Sequence, residues 1–341
     1  MLRVSRTLFF TTIRHAQCYQ ARSFCASSLP IFDRKSKKLQ RARTSLRAKP
    51  SLYDYLRDEA AFRIADRICD ITRVFDIAAE VGCGRGHLIQ NLTSDSVKFL
   101  YQCDNCVEIL KQNNSSSDVE TLRLNVDEEH LPFAENSLNL ILSSLSLHWV
   151  NNLPSTLSQV LRALKPDGCF LGVTFTTDTL FELRVSLQLA ETERLGGFYP
   201  HISPFVESAR FGELLRECGF SLISLDVDDV EVLYPSMFEL IDDLRGMGES
   251  NAAISRPLRL NRDVLFAASS IYDDRFGTQR GDGEERCVPA TFRFLFFIAW
   301  KPDPSQAKPL PRGSGEFSLR DIGRLDELSA ELEKRHSRKP E

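Results

Sequence analysis

Glu80-Val81-Gly82-Cys83-Gly84-Arg85-Gly86 is the stretch on which the reading of this chain turns. An apolar run at 75–81 leads into it and an apolar-periodic run at 87–92 leaves it, which predicts a strand, a glycine loop and a helix. Glycines at alternate positions let the backbone turn sharply and leave no Cβ where a ligand must approach. The helix behind would offer free N–H groups to a charged ligand. The spacing is G-x-G-x-G, with Glu80 two residues before the first glycine, and it differs from the G-x-G-x-x-G of a dinucleotide site. A nucleotide-like cofactor is expected here.

Working outward, residues 97–103 read as a second strand ending in Asp104, 22 residues after Gly82. That is near the length of one βαβ step, and it puts a carboxylate where both ribose hydroxyls of a nucleoside could donate to it. Residues 119–125 read as a third strand, followed by Val126-Asp127-Glu128-Glu129-His130-Leu131-Pro132-Phe133. Residues 138–142 form a fourth, running into Ser143-Ser144-Leu145-Ser146-Leu147-His148-Trp149. Gly86, Asp104, Asp127 and Ser143 all fall at strand C-terminal ends, where a doubly wound sheet has its ligand crevice. On these residues the loop resembles the S-adenosylmethionine (SAM) loop of class I methyltransferases, and 126–133 resembles their adenine-binding segment. The resemblance implies that SAM is held by Glu80, Gly82, Cys83, Gly84, Gly86, Asp104, Asp127, Glu128 and Ser143. In that motif the acid matching Asp127 takes the adenine amino group and the next residue, Glu128, supplies a backbone N–H.

Composition narrows the class. The 341 residues are 42% hydrophobic and 26% charged, enough for one large globular domain with insertions. No apolar run approaches the roughly 18 residues of a membrane-spanning helix. The net charge of -4 conceals an asymmetry, because residues 1–49 hold 12 Lys or Arg against Asp33 alone, while the remainder is acidic. Residues 1–28 combine Arg3, Arg6, Arg14 and Arg22 with apolar and hydroxyl side chains and no acid, the composition of a mitochondrial presequence. The alternative is a basic tail for nucleic acid or membrane, and targeting is the stronger reading. The nine cysteines show no disulfide framework. Cys103 and Cys106 make a single C-x-x-C that overlaps Asp104, so no metal is expected.

Along the chain, 29–50 is expected to be a basic connector and 51–301 a SAM-binding domain of α/β class, with a seven-stranded, mostly parallel sheet of the Rossmann-like methyltransferase type. Helices are predicted at 51–71, 153–164, 179–193 and 206–218. Lys165-Pro166-Asp167-Gly168 reads as a turn before a fifth strand at 169–176. Strands at 220–227 and 291–300 complete the sheet. Helical insertions are expected at about 178–205 and 236–275, the second holding helices at 237–247 and 262–272. Residues 302–341 are expected to be a mobile tail.

Longer motifs narrow the resemblance. IFDR at 31–34, RIADRICDI at 63–71, SSLSLHWVNNLP at 143–154, DTLFELRVSLQLAETERLGGF at 178–198, HISPF at 201–205 and MFELIDDLRGMGESNA at 237–252 together resemble the mitochondrial complex I assembly factors of the methyltransferase superfamily, the arginine-hydroxylase family. The resemblance implies hydroxylation of an arginine on a core iron–sulfur subunit of complex I during early assembly. It implies residence in the mitochondrial matrix, with peripheral inner-membrane association through that partner and no nucleic-acid ligand. The residues themselves leave the chemistry open. They identify no oxidant, no catalytic residue and no H-x-D or H-x-E start of a non-haem iron site. On residues alone, SAM-dependent methyl transfer to a protein, carrier-bound or small acid substrate ranks first, and a SAM-binding chaperone without catalysis is a third reading. His148 stands as a base or substrate contact, and Glu182, Glu191, Asp242 and Asp243 as acids for a guanidinium.

Overall fold

The computed structural model describes residues 30–114, 116, 118–257, 259–280, 285–308 and 312–313. The expected presequence at 1–28 and most of the expected tail lie outside them. The chain divides into a unit ending at Lys301, which holds the sheet and every site discussed below, and a unit beginning at Pro302. The described residues of the second unit form turns and irregular chain.

Eight strands form the sheet: β1 (Phe75–Val81), β2 (Val97–Asp104), β3 (Glu120–Asn125), β4 (Leu138–Ser144), β5 (Leu164–Phe175), β6 (Ser221–Tyr234), β7 (Thr278–Arg280) and β8 (Glu285–Trp300). Their order is β3-β2-β1-β4-β5-β8-β6, with β7 added to β8. The first five are parallel, and β8 pairs antiparallel to both β5 and β6. The seven expected strands are all present. β1 is buried from Ala78 to Val81 because strands on both sides and helices on both faces enclose it, so burial there does not alternate.

Helices cover both faces. On one lie α2 (Tyr55–Cys69), α5 (Phe181–Leu195), α7 (Met237–Met247) and α8 (Arg262–Phe276), whose Ile64, Leu187, Leu240 and Val264 join one apolar core. On the other, Leu157 and Val160 of α4 (Leu153–Ala163) and Phe211 and Leu215 of α6 (Ser208–Glu217) join a second core. A short α3 (Val107–Lys111) follows β2.

Three expectations change. Residues 29–50 are not a plain connector, because they carry a helix, α1 (Arg34–Ser45), started by Asp33, whose carboxylate accepts the Ser36 N–H. Behind the glycine loop stands only a 3-10 turn, Leu88–Asn91. The apolar run is too short to repay nucleation of an α-helix before Thr93-Ser94-Asp95-Ser96 turns the chain. The LKPDG stretch is drawn into β5 as a bulge, and Leu138 and Leu140 of β4 face Leu164 and Cys169. Asp167 takes the left-handed conformation there, with φ 57°.

Candidate functional site

The crevice forms where β1, β2, β3 and β4 end. Gly82, Gly84 and Gly86 have φ of 78°, 57° and 72°, so each sits where a side chain would be strained. A Cβ on Gly82 would lie 2.0 Å from the Ser146 hydroxyl, and one on Gly86 would lie 1.9 Å from Asn113 Oδ1. The loop amides turn inward: Gly82 N–H and Cys83 N–H donate to the Cys103 carbonyl at 2.8 and 2.9 Å, and Gly84 N–H donates to Asp104 Oδ2 at 3.0 Å. The loop is therefore locked onto the end of β2. With only a 3-10 turn behind the loop, the helix N-terminus expected to offer its N–H groups to a ligand is not formed.

The acids line the floor. Asp104 is fully buried and also accepts from Cys106 N–H at 2.8 Å. Glu128 is buried, with Ser146 Oγ 3.2 Å from one carboxylate oxygen and Asn105 Nδ2 3.1 Å from the other. Asp127 is half exposed and accepts the Glu129 N–H at 3.0 Å. Glu80 is buried, and its Oε2 has no hydrogen-bond partner among the described residues. Burial, reinforced by Asp104, raises the Glu80 carboxyl to about 8. Cys83 lies buried beside the loop, where burial pushes its thiol well up, and the Ser143 hydroxyl donates to the Val81 carbonyl at 3.2 Å. The structure thus brings Glu80, Cys83, Gly84, Asp104, Glu128 and Ser143 into one buried region, with Asp127 at its rim.

Four cations not singled out from the sequence face Asp104, Asp127, Glu128 and one further acid, Glu249. One face of α1 presents Arg34, Lys37 and Arg41, at i, i+3 and i+7. Arg34 pairs with Asp127 at 2.8 Å and with Glu128. Arg41 pairs with Asp104 and lies 3.4 Å from Glu128. Lys37 and, from α2, Arg57 reach Glu249, just past α7, at 3.2 and 2.6 Å. Glu249 also accepts from Trp149 Nε1 at 2.7 Å and lies 3.3 Å from His148 Nε2. Burial pushes the Glu249 carboxyl up, but Lys37, His148 and Arg57 outweigh it and hold the group below the carboxylate range. Burial lowers the His148 imidazole, against the raising effect of Glu249, and its Nδ1 lies 3.4 Å from Thr174 Oγ1.

The acids expected to meet a substrate guanidinium lie outside this crevice, each with partners within the fold. Glu182 accepts from the Thr291 hydroxyl and N–H, and Glu191 takes Tyr199 N–H and His201 Nε2, both at 2.7 Å. Asp243 accepts from Tyr55 at 2.8 Å, and Asp242 faces Arg47 at the surface. These side chains brace the insertions. No sequence spacing pointed to Glu249, since its four donors lie about 100 to 212 positions away.

The orphaned Glu80 oxygen tests whether the crevice suits SAM. Gln102 Oε1 and Nε2 and Asn113 Oδ1 are likewise buried without partners among the described residues. A buried acid with unpaired amides beside a glycine loop suits a ligand carrying an ammonium and a sulfonium. The residues fit that group.

Comparison with known proteins agrees. A family model described as a methyltransferase domain matches residues 79–172, from β1 into β5. The mitochondrial arginine-hydroxylase NDUFAF5 of Danio rerio is 45% identical over 311 residues, covering 91% of this chain and 95% of that protein. Its Homo sapiens counterpart is 46% identical over 301 residues, covering 88% and 86%. A malonyl-[acyl-carrier protein] O-methyltransferase of Methylovorus sp. is 27% identical over 282 residues, covering 79% and 91%. The strand order and the matched domain give the chain a class I methyltransferase fold.

Proposed function

This chain belongs to the family of the mitochondrial arginine-hydroxylase NDUFAF5, and on that premise we propose that it is a SAM-binding enzyme of the mitochondrial matrix that hydroxylates an arginine of a core iron–sulfur subunit of complex I during early assembly. The observation that carries the reading is the extent of the identity, 45% over 95% of the Danio rerio protein, which takes in the insertions as well as the cofactor core. Among the described residues no helix is long and apolar enough to cross a membrane. Peripheral inner-membrane association would come through the partner subunit.

Asp104 would hold the ribose, Asp127 and Glu128 the adenine edge, and Glu80 with the glycine loop the amino-acid end of SAM. The cofactor supplies a sulfonium cation whose charge the buried acids balance. Arg41 and Arg34 now occupy Asp104, Asp127 and Glu128, so cofactor entry requires α1 to yield those contacts. Hydroxylation replaces hydrogen by hydroxyl and needs an external two-electron oxidant, so the residues named here bind and orient. Methyl transfer is the second reading, favoured by the resemblance to a malonyl-[acyl-carrier protein] O-methyltransferase.

Mass spectrometry of the iron–sulfur subunit from mitochondria with and without this protein is the test. The expected change is one oxygen atom on an arginine. One added methylene would install the methyltransferase reading, and an unchanged subunit would leave a chaperone.

A further inference from the structure

We propose that Glu249, the face of Trp149 and the Gly248 carbonyl form the subsite that receives the guanidinium of the substrate arginine, reached through the cleft beside α5 and α7. The proposal rests on arginine being the substrate.

The subsite already holds a cation. Lys37 Nζ lies 3.2 Å from the centroid of the Trp149 ring, 2.6 Å from the Gly248 carbonyl and 3.2 Å from Glu249 Oε2. An aromatic face, a carbonyl and a carboxylate around one nitrogen are the elements that recognise organic cations. A guanidinium suits them better than an ammonium, because it stacks flat on indole and donates in a planar fork. The occupant is weakly committed. Burial lowers Lys37 to about 7, with Arg41 and Arg57 adding to the effect and Glu249 opposing it.

A route leads to Glu249 from outside. Glu249 lines a cavity of 210 Å³ between α5, α7 and the 201–205 loop. That cavity shares Leu187, His201, Ile202, Ser203 and Phe205 with an outer cleft of 410 Å³, lined also by the exposed Phe198 and Tyr199. An extended segment seated along these aromatics would send one long side chain inward. The path ends at an acid whose partners include two cations, Lys37 and Arg57, carried on other helices. The other buried acid beside this path, Glu191, is taken by Tyr199 N–H and His201.

The test is calorimetric binding of N-acetyl-arginine-amide to the SAM-loaded full chain, with N-acetyl-citrulline-amide as the uncharged control. The arginine probe should bind, and the citrulline probe should not. Glu249→Gln should weaken the arginine probe by about tenfold or more and leave SAM affinity unchanged. Lys37→Ala should tighten the probe at pH 6, where the wild-type lysine is protonated and competes. Wild-type affinity should rise with pH through about 7 as Lys37 is deprotonated, and the alanine variant should lose that slope. The charged or titratable groups facing Lys37 are Glu249 after α7, Arg41 on α1, Arg57 on α2 and His148 after β4. Should Glu249→Gln fail to fold, the Lys37 variant decides alone.

Equal binding of the two probes, a wild-type response from Glu249→Gln, or an unchanged slope in Lys37→Ala would overturn the subsite. Normal oxygen insertion by Glu249→Gln would remove the subsite and leave the hydroxylase reading standing. The expected probe pattern with an unmodified iron–sulfur subunit would do the reverse.

Discussion

Acids at the strand ends and acids on the insertions live differently in this fold. On the insertions, Glu182 and Glu191 are buried against hydroxyl, amide and imidazole groups close at hand. At the strand ends, Glu80 has an orphaned oxygen, while Asp104 and Glu128 are matched by guanidinia brought in on α1. A carboxylate bound by neutral groups of its own scaffold is a brace. One left unpaired, or paired with a cation carried on a separate helix, is a place where something else can bind. Glu249 lies in the second insertion but belongs to this latter kind.

Four substitutions probe that contrast, and the largest effect is expected at Asp104. Asp104→Ala should weaken SAM binding by at least about tenfold in calorimetry, because each charge-assisted bond to a ribose hydroxyl contributes about 1.5–3 kcal/mol. Unchanged affinity in a folded variant would place the strand-end acids among the braces. Glu191→Gln should behave oppositely, lowering stability by about 1–3 kcal/mol in denaturant titration while SAM binds as before. Loss of SAM in parallel would erase the distinction.

Glu80→Gln separates stability from binding by pH. In the folded protein Glu80 holds its proton up to about 8, whereas unfolded it ionises in the ordinary carboxylate range. Between those limits the folded state binds more protons, so its stability falls as pH rises. The amide variant should melt with the wild type near pH 5 and above it at pH 9, by roughly 2–4 °C per kcal/mol recovered, and should bind SAM more weakly. Equal melting at pH 9 would show that the orphaned oxygen carries no penalty. The smallest effect belongs to Asp242→Asn at the exposed Arg47 pair, within about 0.5 kcal/mol by thermal melting.

Much of the core was legible because its signals are local. The glycine loop, Asp104 at the end of β2 and the helix at Met237–Met247 each announce themselves within about one element of sequence. α1 escaped because its buried face is Lys37, Arg41, Thr44 and Ser45. A helix seated by ion pairs has no apolar period to read, and a run of basic residues looks the same whether it is solvated or docked. Glu249 escaped for a related reason, since its meaning comes from donors on α1, α2 and the turn after β4. LKPDG misled because turn composition is also bulge composition.

The seating of α1 has a consequence for how the molecule assembles. Its contacts join residues 63 to 212 positions apart, from Arg41 with Asp104 to Lys37 with Glu249. α1 can therefore take this seat only once the strand ends and residues 248–249 that hold it are in place. Until then the acidic floor stands open to water. Amide hydrogens of α1 should exchange ahead of those of α2, whose apolar stripe is buried in the main core. The last piece to close is thus the first to open, and the cofactor can be admitted while the sheet stays intact.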